Sequence, residues 1–163
     1  MTDPDITPRP MIRAASMLLD NGKTCLVKQE VTEKRHWAFP GGKLELREKL
    51  SECVSREFKE ETGLDVRVRE LLYVTNRITS NPDTHVVHIS FLVEKCEKRD
   101  LPEEWTHVDP FPSTSSVSIR EIRMVKIDDL EQYGFSTVFC GLVKDGFPGR
   151  GSYKGDFFVF YDE

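Results

Sequence analysis

The sequence has few cysteines and little positive charge to spare. Its four cysteines are scattered among 163 residues without a Cys-x-x-Cys pair, which favours reduced, packed thiols and a cytoplasmic protein over a disulfide scaffold. Lysine and arginine together number 23, against 28 aspartates and glutamates. A protein that neutralises nucleic-acid phosphates needs the opposite balance, so we expect no nucleic-acid partner.

Long apolar runs are also missing. Residues 1–5 are acidic and contain a proline, unlike the basic start and apolar stretch of a secretory signal, and no segment has the length of a membrane span. Hydrophobic residues nevertheless make up 38% of the chain, with ten phenylalanines, which is enough for a packed core. We therefore predict one domain over residues 1–163, without a membrane partner.

The order of the predicted elements is that of a mixed α+β protein. An apolar run over 11–19 leads into Asn21-Gly22, a two-residue hairpin signal, and a returning strand at 24–27. Gly63 ends a helix-spaced segment. The later elements are a helix over 49–62, strands over 66–79 and 85–95, an irregular loop over 97–118, a strand over 121–127, helical segments over 128–133 and 134–144, and a glycine-rich, then aromatic tail over 146–163.

The first predicted helix carries carboxylates on its apolar side. At helical spacing, Glu57, Glu60 and Glu61 fall in or beside the stripe that contains Phe58. A solvated acidic face is the simpler alternative, but it places charges away from the apolar stripe. Crowded carboxylates raise one another's pKa, and Arg56 can offset only part of the charge. A hard cation such as Mg²⁺ or Mn²⁺ would balance the remainder, so the helix predicts one wall of a metal site.

A Pro40-Gly41-Gly42 turn precedes this helix. Glycine allows another group to approach the backbone closely, and a carbonyl at this position could complete the coordination of a cation. The alternative is that the tripeptide is only a turn. Mg²⁺ held by a few carboxylates keeps positions for substrate phosphates, so the combination predicts cleavage of a phosphoryl or pyrophosphate bond.

The spacing of these residues resembles the Nudix box. Gly42, Glu48 and the segment Arg-Glu-Phe-Lys-Glu-Glu-Thr-Gly-Leu at 56–64 match the pattern Gx5Ex7REUxEExGU at every fixed position, over residues 42–64. The resemblance implies the Nudix α/β/α sandwich with a mixed β-sheet. It also implies hydrolysis of a nucleoside diphosphate linked to another moiety, with Mg²⁺ or Mn²⁺ as cofactor. A homodimer is compatible with the resemblance.

The resemblance also implies roles for individual residues. The implied metal ligands are Glu57, Glu60, Glu61 and the carbonyl of Gly41. Arg56 is expected to orient a glutamate, and Glu48 to make a further contact at the metal site; both belong to the predicted catalytic set.

Two positions remain open under the resemblance. The general base is either a box glutamate or a residue from elsewhere, with Glu121 in the late strand as an extra acid/base candidate. The alternative for Glu121 is an exposed strand charge. Arg47 departs from the common pattern, since many members have glycine at this position.

Features outside the box carry the substrate prediction. Pro82 and the residues around Gly149 resemble ADP-ribose-type members, which favours ADP-ribose or a nucleotide sugar. The alternatives are a nucleoside triphosphate or a non-catalytic nucleotide sensor. Arg35 and Arg77 are candidate phosphate contacts, and Trp37 is a candidate stacking partner for a base, with purely structural roles as the alternative.

Overall fold

The protein is described from a computed structural model that covers residues 8–29, 37–81, 83–112 and 118–161. The predictions for Arg35 and Pro82 lie outside these residues. The elements are the strands β1 (Met11–Asp20), β2 (Lys23–Gln29), β3 (Trp37–Ala38) and β4 (Gly41–Lys43), the helix α1 (Leu50–Thr62), the strands β5 (Val66–Ile78), β6 (His85–Lys95), β7 (Glu104–Trp105) and β8 (Ile119–Lys126), a 3₁₀ helix (Ile127–Tyr133), the helix α2 (Thr137–Lys144), the strand β9 (Ser152–Asp156) and a second 3₁₀ helix (Phe157–Phe160).

Local sequence determines the first hairpin and the end of α1. Asn21 and Gly22 both have positive φ, of 52° and 74°, as a tight hairpin turn requires, and they join β1 to β2. Gly63 has φ of 78°, and its N–H donates to the Lys59 carbonyl, which closes the last helical turn in the left-handed conformation. The hairpin and the helix are thus confirmed.

Three predicted elements differ in detail. The predicted helical segment over 128–133 is a 3₁₀ helix, Ile127–Tyr133. The next helix begins at Thr137, because Gly134 has φ of 90° and interrupts the helical path. The loop over 97–118 contains the short strand β7, which pairs with β8.

The sheet is mixed, and β4, which contains Gly41 and Gly42, lies near its middle. Its strands run in the order β7-β8-β2-β1-β6-β5-β9, and β1 is parallel to β6 as β5 is to β9. β1 and β2 pair only at the hairpin end, through Leu19 and Asp20. Beyond that point β3 pairs with β2, and β4 pairs with β1. The chain from Trp37 to Lys43 therefore lies between two diverging central strands.

Separate apolar cores cover the two faces of the sheet. On one face, Val54 and Phe58 of α1 pack with Leu18 and Val93. On the other face, an aromatic core joins α2 to the last part of the chain, with Phe135, Phe139, Phe147 and Phe160 buried together. The predicted α/β/α sandwich with a mixed sheet is confirmed.

The described residues contain no disulfide. Cys25, Cys53 and Cys140 are buried, Cys96 is exposed, and all four are free thiols. In the part of the chain that the structure describes, no helix combines the length and apolarity that a membrane crossing requires.

Candidate functional site

Helix α1 brings two glutamates against the backbone of β4. Glu61 is only 8% exposed, and its Oε2 accepts a hydrogen bond of 3.2 Å from the Gly41 N–H. The Glu57 carboxylate lies against Gly42, where a Cβ would stand 2.2 Å from the carboxyl carbon. A Cβ at this position would collide with the Glu57 carboxylate unless that side chain moved, which gives a physical reason for the glycine that begins the sequence motif.

Arg56 connects the remaining carboxylates. Its Nε donates to Glu48 Oε1 at 2.6 Å, and its Nη1 donates to Glu57 Oε1 at 2.8 Å. The same Nη1 lies 3.2 Å from Glu60 Oε2. We call Glu48, Glu57, Glu60 and Glu61 the carboxylate cluster. The planar guanidinium fixes the first three of these side chains relative to one another.

The carboxylate cluster is electrostatically uneven. Burial, followed by the charge of Glu57, raises the pKa of Glu61 to about 8. Burial also raises the pKa of Glu57, despite its hydrogen bond from Arg56. By contrast, the hydrogen bond from Arg56 lowers the pKa of Glu48. Glu61 is therefore the member whose negative charge is compensated least.

The predicted metal ligands are gathered but engaged by arginines. Arg56 contacts Glu57 and Glu60, and Arg13 Nη2 donates to the Gly41 carbonyl at 3.3 Å. As they stand, the described residues contain no group of three histidine, cysteine, aspartate or glutamate side chains arranged to hold a metal ion. The chemistry of the donors still fits a hard cation, because they are oxygens and no cationic side chain among the described residues forms an ion pair with Glu61.

Trp37 and Glu121 meet in a different cluster. The Trp37 ring centroid lies 5.1 Å from Arg123 Cζ and 5.8 Å from Lys28 Nζ. Glu121 accepts from the same two cations, at 2.7 Å from Arg123 and 3.5 Å from Lys28. Although desolvation raises it, these hydrogen bonds hold the pKa of Glu121 below its usual range. Within the described residues, Glu121 contacts no member of the carboxylate cluster.

Arg77 and Arg13 differ in their contacts with the site. Arg77 is half-buried on β5, opposite Val86 of β6, and no described contact links it to the carboxylate cluster. Arg13, which does contact Gly41, was missed. It lies far upstream of the sequence motif, and nothing in its local sequence predicts the strand pairing that brings it there.

The loop between β4 and α1 contains a strained residue. Arg47 has φ of 68° and is exposed, in the left-handed region that costs an ordinary side chain about 1–2 kcal/mol. We expect Arg47→Gly to raise the free energy of unfolding by about 1 kcal/mol, which urea denaturation would measure. Arg69→Gly in β5 is the control, where glycine should lower stability. An equal loss in both variants would contradict the strain.

A model of the NUDIX domain family matches residues 10–137 of the chain. Because the match extends over most of its length, the chain belongs to that family. The matched region includes the carboxylate cluster, Trp37 and Glu121, and it ends at the start of α2. The second half of the aromatic core, with Phe147 and Phe160, lies beyond it.

Similarity to individual proteins agrees with the family. The chain is 35% identical over 86 residues to an "ADP-ribose pyrophosphatase" from Methanocaldococcus jannaschii, covering 52% of this chain and 51% of that protein. It therefore spans about half the length of this relative. It is 33% identical over 94 residues to an "8-oxo-dGTP diphosphatase" from Proteus vulgaris, covering 56% of this chain and 81% of that protein. A solved "NUDIX hydrolase from Nitrosomonas europaea" has the same fold, with a TM-score of 0.63 and 17% identity. The match covers 95% of this chain and 98% of that chain.

Proposed function

We propose that this chain, as a member of the NUDIX domain family, hydrolyses a pyrophosphate bond in a nucleoside diphosphate derivative. ADP-ribose or a nucleotide sugar is the favoured substrate, with Mg²⁺ or Mn²⁺ as the cofactor. The observation that carries the proposal is the contact between the buried Glu61 carboxylate and the Gly41 N–H. The Glu61 carboxylate, whose pKa is raised by burial, lies beside the residue that precedes Gly42, the first glycine of the family box.

Glu57, Glu60 and Glu61, with the Gly41 carbonyl, would hold the cation. A bound divalent cation supplies electrostatic stabilisation of the charge that develops on the phosphoryl oxygens. For these groups to receive it, Arg56 must keep only its paired hydrogen bonds to Glu48. Those bonds, at 2.6 and 3.1 Å, use both Nε and Nη2. They can therefore persist while Nη1 gives up Glu57 and Glu60. The Gly41 carbonyl has two lone pairs, so it could bind the cation and still accept from Arg13.

The general base belongs to the carboxylate cluster in this proposal. A base is most effective when its pKa lies close to the working pH, and in the protein without a cation burial raises the pKa of both Glu57 and Glu61 above the ordinary range. Glu121 is less suited, because Arg123 and Lys28 stabilise its ionised form. The proposed part of Glu121 is to hold Arg123 beside Trp37, where a nucleobase could stack.

The similarity to the archaeal ADP-ribose pyrophosphatase supports the choice of substrate. A nucleoside triphosphate is the second candidate, which the similarity to the 8-oxo-dGTP diphosphatase favours. The two candidates differ in the products that they predict. ADP-ribose would give AMP and ribose phosphate, whereas a triphosphate would give a monophosphate and pyrophosphate.

The test is hydrolysis of a nucleotide panel by the purified protein, with products resolved by chromatography. The panel contains ADP-ribose, nucleotide sugars, dinucleoside polyphosphates, and normal and oxidised triphosphates, each with Mg²⁺ or Mn²⁺. We expect AMP from ADP-ribose, and no turnover once a chelator removes the cation. If only triphosphates are hydrolysed, with release of pyrophosphate, the substrate is the second candidate, a nucleoside triphosphate. Tight binding of one nucleotide without turnover would identify a sensor and overturn the proposed reaction.

A further inference from the structure

Two cationic side chains face each other on β1 and β4, next to the backbone of Gly42. Arg13 of β1 is directly opposite Lys43 of β4 in the antiparallel register. Residues paired in this way project from the same face of the sheet, and like charges in such pairs are destabilising. His88, next to Arg13 on β6, brings no negative charge, because an imidazole is either neutral or cationic. Its ring stacks on Phe157 at 4.0 Å. An anion between Arg13 and Lys43 would remove the repulsion.

Arg13 has most of its hydrogen-bonding capacity to spare. Its described hydrogen bond is the one from Nη2 to the Gly41 carbonyl, at 3.3 Å, whereas a guanidinium carries five N–H donors. In the described ranges, no carboxylate lies within ion-pairing distance of Arg13. Its charge still acts at a distance, since it lowers the pKa of Glu57 and Glu61 against the larger effect of their burial.

Gly41 of β4 contacts both Arg13 and the carboxylate cluster. The Gly41 N–H donates to Glu61, and the Gly41 carbonyl accepts from Arg13. A diphosphate that contacts a metal ion bound beside Glu61 would therefore lie within reach of the Arg13 guanidinium. Arginine suits this contact, because its planar fork matches two phosphate oxygens at once.

We propose that Arg13, with Lys43 opposite it, binds the phosphate oxygens of the substrate and positions its diphosphate against the carboxylate cluster. The inference rests on the proposed function and extends it, since it specifies the residues that recognise the diphosphate itself. It follows that recognition is shared by all substrates with two linked phosphates, whatever group each phosphate carries. Selection among such substrates then falls to other residues.

The first test separates binding from turnover in the enzyme with its cation. Arg13→Gln keeps a donor for the Gly41 carbonyl and removes the charge, and we expect it to raise KM by about 10- to 100-fold with kcat changed less than about threefold. Lys43→Gln should raise KM about three- to tenfold. Arg69→Gln is the matched control, because Arg69 is an exposed cation of β5 that pairs with Glu94; its KM should not change.

The second test needs no turnover. Calorimetric titration with inorganic pyrophosphate, without a divalent cation, should give a Kd about tenfold weaker for Arg13→Gln than for the native protein. Thermal denaturation without ligand should show no loss of Tm. If Arg13 has only a structural role, Arg13→Gln should instead lower Tm and leave KM and the pyrophosphate Kd unchanged. That result would overturn the inference.

The outcomes distinguish this inference from the proposed function. If the native protein binds pyrophosphate through Arg13 but hydrolyses no nucleotide, the proposed function fails and the phosphate site stands. If the native protein hydrolyses ADP-ribose and Arg13→Gln has native KM, the phosphate site fails and the proposed function stands.

Discussion

Replacing Glu61 by glutamine is expected to reduce hydrolysis by about 10³-fold or more and to stabilise the protein in the absence of metal. Removal of one electrostatic contact to a transition state commonly costs about 10²–10³-fold, and Glu61 would act on the cation itself. The amide oxygen of glutamine can still accept the hydrogen bond from the Gly41 N–H. The stabilisation should be about 0.5–2 kcal/mol, as is common when a functional group that strains the fold is removed.

The sign of the stability effect follows from the pKa of Glu61. Burial raises that pKa from 4.5 to about 8, so the folded state holds a proton that the unfolded state has lost between these values. The native protein therefore loses stability as pH rises from about 4.5 to about 8. Glutamine does not ionise, so the gain from Glu61→Gln should be absent below this range and complete above it.

Thermal denaturation at several pH values, with a chelator present, measures this effect. Glu131→Gln is the control, because Glu131 is exposed and its replacement should leave Tm and turnover unchanged. Addition of Mg²⁺ should raise the Tm of the native protein and have little effect on Glu61→Gln. Near-native turnover in Glu61→Gln, or a Tm difference that does not depend on pH, would contradict the assignment of Glu61.

The second large effect concerns the adjacent glycines, which should fail in different ways. A Cβ on Gly42 meets the Glu57 carboxylate at 2.2–2.4 Å, which is the movable end of a side chain. A Cβ on Gly41 meets the Ala14 carbonyl oxygen at 2.4 Å, which is backbone in a central strand. Gly42→Ala should therefore displace Glu57 and lower kcat by about 10²-fold, since small misplacements in an active site have this cost.

Gly41→Ala should instead lower the free energy of unfolding by about 1–3 kcal/mol, as overpacking commonly does. Urea denaturation and steady-state kinetics on both variants separate the two effects. Gly141→Ala is a control on α2, where a Cβ meets nothing within 4 Å. If Gly42→Ala keeps full activity, Glu57 is not held in place by this contact.

The sequence predicted the parts of the fold that depend on neighbouring residues. Asn21-Gly22 contains its own turn chemistry, and Gly63 its own helix end, so both could be located from the residues alone. Helical spacing likewise placed Glu61 on the side of α1 that is buried. The family box then added the approach of Gly42 to the helix, which spacing alone does not contain.

The parts that could not be predicted depend on contacts between distant segments. The pairing of Arg13 with Lys43 requires the register of β1 with β4, and no local pattern specifies it. Glu121 was predicted as an acid/base candidate because late-strand glutamates occur in related enzymes. Its ion pairs with Lys28 and Arg123 depend on how β2 meets β8. The parallel pairing of β9 with β5 also could not be predicted, since the tail over 146–163 has no strand periodicity.

The aromatic core has a consequence for the order in which the chain can fold during synthesis. Phe135 and Phe139 emerge from the ribosome before Phe147 and Phe160, which complete their packing. The Ser136 N–H donates to the Phe160 carbonyl, and its Oγ to the Val159 carbonyl. Among the described residues, the core around α1 contains none later than Met124, so it can assemble first. One face of the sheet is then complete while the other stays exposed to chaperones until residue 160 has been added.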